Sequence, residues 1–96
     1  MRVFFEGELD HHAAKEAVGV IESNINAHLP KSCVIDFGKL AFMDSSGIAV
    51  ILKTYRRMNE IRGKISVENA GKQPLRVLDA AGIDRLIKIT TTLKEA

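Results

Sequence analysis

Phe42-Met43-Asp44-Ser45-Ser46-Gly47-Ile48 is the stretch that decides how this chain is read. Upstream, Cys33-Val34-Ile35-Asp36-Phe37 is a nearly continuous apolar run, the pattern of a strand covered on both faces. Downstream, residues 48–61 carry apolar side chains at helical spacing. The seven residues therefore stand where a strand hands over to a helix. Two hydroxyls and a carboxylate fall at the new helix's first turn, where backbone N–H groups lack intrahelical partners and carry partial positive charge. A side chain there can cap the helix, and a phosphate placed there is well held.

A helical wheel at about 100° per residue groups Ile48, Ile51, Leu52, Tyr55 and Met58 into one stripe, predicted to face the core. On that register Ser46 projects to solvent, with Val50, Lys53 and Arg57 near it. Ser45 falls nearer the buried stripe, and either Ser45 or Asp44 is expected to be the N-cap. Plain capping accounts for these residue types as well as any chemistry does.

The flanking sequence extends the alternation. Arg2 to Leu9 reads as a strand ending in a turn, and Asp10 fits the N-cap of a helix over 11–28 that stops before Pro30. Gly38-Lys39 reads as a turn and Leu40 to Met43 as a lead into the corner. Arg62-Gly63 reads as a glycine helix stop. A strand over 64–68 follows, then a short helix opened by Gln73-Pro74 and ended by Gly82. A last strand is expected over 86–89, and the start of a further helix over 90–96. Strands alternating with helices imply βαβ crossovers. That alternation implies a parallel or mixed sheet, and the expected fold is a single α/β domain over residues 1–96, with a mixed sheet of about four strands and helices packed mainly on one face.

Bulk composition sets the outer limits. The 96 residues are 46% hydrophobic and 27% charged, with a net charge of +2, as in an ordinary globular domain. No apolar run reaches the length of a membrane span, and no signal peptide is visible at the N-terminus. The expectation is a soluble, cytoplasmic protein. Basic residues are scattered and only Tyr55 lies among them as an aromatic, so direct nucleic-acid binding is not expected. Cys33, the single cysteine, has no internal disulfide partner and reads as a small apolar core residue. His11, His12 and His28 do not converge on a metal site. No phosphate-binding glycine loop or nucleophile elbow is present. No enzyme activity, metal or cofactor is expected.

The chain resembles a known family through three blocks in order: Gly7-Glu8-Leu9-Asp10-His11-His12, Val34-Ile35-Asp36-Phe37 and Phe42-Met43-Asp44-Ser45-Ser46-Gly47-Ile48. Leu78 to Ile87 is similar to the family's later helix–glycine–strand segment. The family is the STAS domain of the anti-sigma factor antagonist type. The resemblance implies that Ser46, the second serine of the Asp-Ser-Ser-Gly block, is phosphorylated by the anti-sigma factor, itself a serine kinase. Unphosphorylated protein binds that kinase and releases a sigma factor; phosphorylated protein cannot bind, and a serine phosphatase returns it to the binding form. It implies a partner-binding role for Asp10, Asp44, Ser45 and Gly47, to which the wheel adds Val50, Lys53 and Arg57. The alternative is a STAS module that only scaffolds and is never phosphorylated. Against the family pattern, an additional strand before Val3 and a longer last helix are expected and not seen.

Overall fold

Cys33, Ile35, Phe37, Leu40 and Met43 are all buried, and they lie on one strand, Ser32–Met43 (β2). In the computed structural model, which describes residues 1–91, this strand is the spine of the sheet. Arg2–Leu9 (β1) pairs with it on one side and Lys64–Ala70 (β3) on the other. Lys88–Thr91 (β4) pairs with β3. The order is β1-β2-β3-β4, and all three pairings are parallel, so the described sheet is parallel where a mixed one was expected, because every connection is a helical crossover.

His11–His28 (α1), Ser45–Glu60 (α2) and Lys72–Ala80 (α3) connect successive strands. Strand order follows chain order, so each crossover repeats the same sense. Parallel crossovers are right-handed, and that places all three helices on one face. Neighbouring helices touch one another as well as the sheet. The core lies between the layers: Ile21 and Ile25 of α1, Ile51 and Met58 of α2 and Leu78 of α3 close over Cys33, Ile35, Phe37 and Val67. Phe5 meets Phe37 edge to face with centroids 5.6 Å apart, a favoured ring geometry. Burial pushes the Cys33 thiol pKa up.

Gly38-Lys39 does not turn. It lies inside β2, where the pairing with β1 slips by one residue between Phe4 and Glu6, and it slips again between Gly7 and Glu8. Both extra residues belong to β2, and each is a bulge. Helix α2 ends without a left-handed glycine: Arg62 takes the positive φ, 58°. Gly63 is required for a different reason. A Cβ there would run into the Met58 side chain and sit 3.2 Å from the carbonyls of Pro30 and Lys31. The last strand begins two residues later than expected and takes in Thr90 and Thr91. The remainder of the helix expected over 90–96 lies outside the described residues.

On the face without helices, Asp36 gathers three neighbours. Its Oδ1 accepts from the Gly38 N–H at 2.8 Å, and Asn69 Nδ2 donates to both carboxylate oxygens. Arg2 donates to Asp36 Oδ2 at 2.8 Å and to Glu68 at 2.9 Å. The Gly38 amide is the main cause that holds the Asp36 carboxyl below its ordinary range, ahead of Asn69 and Arg2 and against the opposing effect of burial.

Candidate functional site

The carboxyl ends of β1 and β2 lie side by side. Leu9 is the register partner of Met43, and the Asp44 N–H points at the Leu9 carbonyl at 3.5 Å. An aspartate follows each strand and caps the helix that begins there. Asp10 Oδ1 accepts from the Ala13 N–H at 2.9 Å, and Asp44 Oδ1 accepts from the Ser46 N–H at 2.8 Å. Of the two caps expected for α2, Asp44 is the one used. Two helix N-termini, each with its partial positive charge, thus open on one edge of the domain.

The register of α2 differs from the wheel. Its buried residues are Gly47, Val50, Ile51, Thr54 and Met58. The core stripe is turned by roughly one residue, about 100°. Ile48, Leu52 and Tyr55 pack partly buried on its flank. Two residues that hydropathy does not mark as core explain the shift. Gly47 faces inward because a Cβ would lie 3.0 Å from Met43 Cε and 3.1 Å from Leu9 Cδ2. Thr54 is buried because its hydroxyl donates to the Val50 carbonyl at 2.8 Å.

Several site expectations change with the register. Val50 is 1% exposed, so it is core and not docking surface. Gly47 likewise faces the core. Ser45, expected near the buried edge, is the exposed serine, and Ser46 is half-buried. Arg57 is drawn to the far end of α1, where Nε and Nη2 donate to Asn26 Oδ1 at 3.2 and 2.8 Å. It stitches the two helices together away from the serines.

Ser46 opens onto a groove of about 260 Å³ between α1 and α2. Lys53 stands on the Ser46 side, His11 and Lys15 stand on the α1 side, and Val50 lies among them. The structure therefore brings Asp10, Asp44, Ser45, Ser46 and Lys53 to one edge. His11 and Lys15 were missed as site residues, although their i, i+4 spacing places them on one face of α1. Gln73 of α3 was missed as well. Its side chain holds Met43, the residue before the Asp44 cap, through both backbone groups. Among the described residues no group of three His, Cys, Asp or Glu side chains is placed to hold a metal ion. No described helix is long and apolar enough to cross a membrane.

A parallel four-stranded sheet with its helices on one face and a serine pair at the start of the second helix defines a class. The chain belongs to the STAS domain family, which matches residues 1–96. Within that family it is similar to an anti-sigma F factor antagonist of Paenibacillus polymyxa, 32% identical over 87 residues that span 91% of this chain and 74% of the relative. Among solved structures it is similar to the Bacillus cell fate determinant SpoIIAA in the phosphorylated form, with a TM-score of 0.72 and 26% identity, covering 95% of this chain and 82% of that one. The STAS domain of a Vibrio cholerae SulP transporter shares the fold, with a TM-score of 0.71 at 21% identity, over 93% of this chain and 70% of that one.

Proposed function

We infer that this protein is an anti-sigma factor antagonist whose binding is switched by phosphorylation of Ser46. One observation carries the assignment of the residue. Ser46 sits at the first turn of α2 in the wall of a groove whose lining includes Lys15, Lys53 and His11, with the two lysines as its cations. A phosphoryl group adds about −1.5 to −2 charge at neutral pH. At Ser46 it is met by the α2 amides and by cationic side chains. Ser45 is exposed and does not line that groove.

The partner is an anti-sigma factor that is itself a serine kinase, and it docks on the edge formed by Asp10, Asp44, Ser45, Ser46 and Lys53. Unphosphorylated protein binds it and frees a sigma factor. The phosphoryl group fills the groove and recharges the edge, so the kinase is released until a serine phosphatase removes the group.

Mass spectrometry after incubation with the cognate kinase and ATP tests this reading. Ser46→Ala should abolish labelling and keep binding, and Ser46→Asp should weaken binding. Phosphate found only on Ser45 would overturn the assignment. Phosphate on neither serine would favour the non-switching scaffold.

A further inference from the structure

We propose that Lys15 of α1 and Lys53 of α2 form a two-sided clamp for the phosphoryl group of Ser46, and that the phosphorylated form is thereby tied across the two helices. The clamp rests on the phosphorylation of Ser46 proposed for the switch. The two walls of the groove supply it. On α2, Ser46, Val50 and Lys53 follow one another at helical spacing, and on α1, His11, Lys15 and Val18 do the same. Both helices begin at one edge of the domain. Lys15 stands one turn into α1 and Lys53 two turns beyond Ser46. Long side chains on a helix lean toward its N-terminus, so both lysine stems run back toward the serine. Small residues, Ala14 and Ala49, leave about 260 Å³ open between the walls.

The charge around that space is one-sided. No carboxylate lines the groove. Glu16, next to Lys15 in the chain, lines the other groove of α1, against β1. Among the described residues neither lysine makes an ion pair. Arg57, farther along α2, is by contrast held by Asn26 and by Glu60 at 3.8 Å. The two capping carboxylates at the edge, Asp10 and Asp44, each already accept a backbone N–H. The ionisable groups about a phosphoryl on Ser46 are therefore His11 and Lys15 from α1, Lys53 from α2, and the caps Asp10 and Asp44. Two ammonium groups favour the doubly charged phosphoryl, against the opposing effect of the caps, and each can donate to its oxygens. Ser45 shares the first turn of α2 and the Asp44 cap, yet it does not line the groove. A phosphoryl there meets the helix amides without the clamp.

The probe is the full chain with phosphoserine genetically encoded at position 46, or at position 45 as control. Encoding needs no kinase, so this test can fail while labelling of Ser46 by the kinase succeeds, and the reverse. Phosphorus NMR titration reads the second phosphate pKa, ordinarily about 6. It should lie at least about half a unit lower at position 46 than at position 45. Lys15→Gln and Lys53→Gln, both on exposed side chains, should each raise the value at 46 and leave the value at 45 unchanged, and Lys53→Arg should keep it low. Lys15→Gln should also lower the thermal midpoint by about 2 °C more in the chain phosphorylated at 46 than in the unphosphorylated chain. Equal values at the two positions, or a value at 46 indifferent to both lysines, would show that the helix amides alone hold the phosphoryl and would overturn the clamp. An equal loss of midpoint with and without the phosphoryl would overturn the tie between the helices.

Discussion

The side-chain amide of Gln73 hydrogen-bonds both backbone groups of Met43: Oε1 accepts the Met43 N–H at 2.9 Å, and Nε2 donates to the Met43 carbonyl at 2.9 Å. Strand β3 pairs with β2 only as far as Asp36↔Glu68. Beyond that point β2 has no strand on this side among the described residues, and Gln73 supplies the donor and acceptor that a strand would have supplied. The corner that carries Asp44, Ser45 and Ser46 begins one residue later.

Gln73→Ala leaves two part-buried backbone groups without those partners. It should cost about 1–3 kcal/mol. Urea unfolding of the variant against the parent measures the loss. A change within error would mean that water replaces the amide without penalty.

The register of α2 makes opposite predictions for neighbouring residues. Ile51→Ala removes a fully buried side chain and should cost about 2–5 kcal/mol, and Leu52→Ala, only partly buried, should cost less. Val50→Glu replaces a packed apolar side chain that is 1% exposed by a carboxylate and should weaken the cooperative thermal transition. An intact transition in Val50→Glu with a weakened Leu52→Ala would restore the wheel drawn from hydropathy.

Asp36 links stability to acid. Its folded pKa lies below the ordinary value, so the unfolded chain binds the proton more readily. The contribution is complete above about pH 4 and is lost as pH falls through the lower folded value. Denaturant midpoints measured from neutral to acidic pH should therefore fall less steeply for Asp36→Asn at the acid end. Parallel profiles would show that the carboxylate gains nothing from the Gly38, Asn69 and Arg2 contacts.

Cys33 is 0% exposed, and its thiol pKa is raised by burial. A disulfide reagent should leave the native protein unmodified at neutral pH and react fully in denaturant. Rapid labelling of the native protein would place β2 in frequent local opening.

Much of the fold was legible because period and punctuation agreed. The apolar run over Cys33–Phe37, the helical spacing over residues 11–28 and the caps at Asp10 and Asp44 each depend on near neighbours in the chain. The α2 face was not legible from hydropathy. It turns on Gly47, which is inward because of Met43 and Leu9, and on Thr54, which is inward because its hydroxyl finds a carbonyl within the helix. Ser46 was singled out as the phosphoacceptor on a register the structure replaces. What supports it now is the groove it shares with His11 and Lys15, brought from α1 by the fold. Gln73 left no local trace, because its partner is 30 positions away.

The two bulges of β2 have a phase. A strand turns its side chains over at every residue, so one inserted residue exchanges the two faces for everything beyond it. Buried apolar positions accordingly run 33, 35, 37, then 40, then 43. The first insertion reverses the alternation and the second reverses it back. Met43 ends the strand facing the core, in step with Cys33 ten residues earlier. Deleting a single residue between 38 and 42 would leave the strand able to pair yet deliver Met43 to the wrong side, and the serine corner with it. Where the switch points is thus decided by whether the number of extra residues upstream is even or odd.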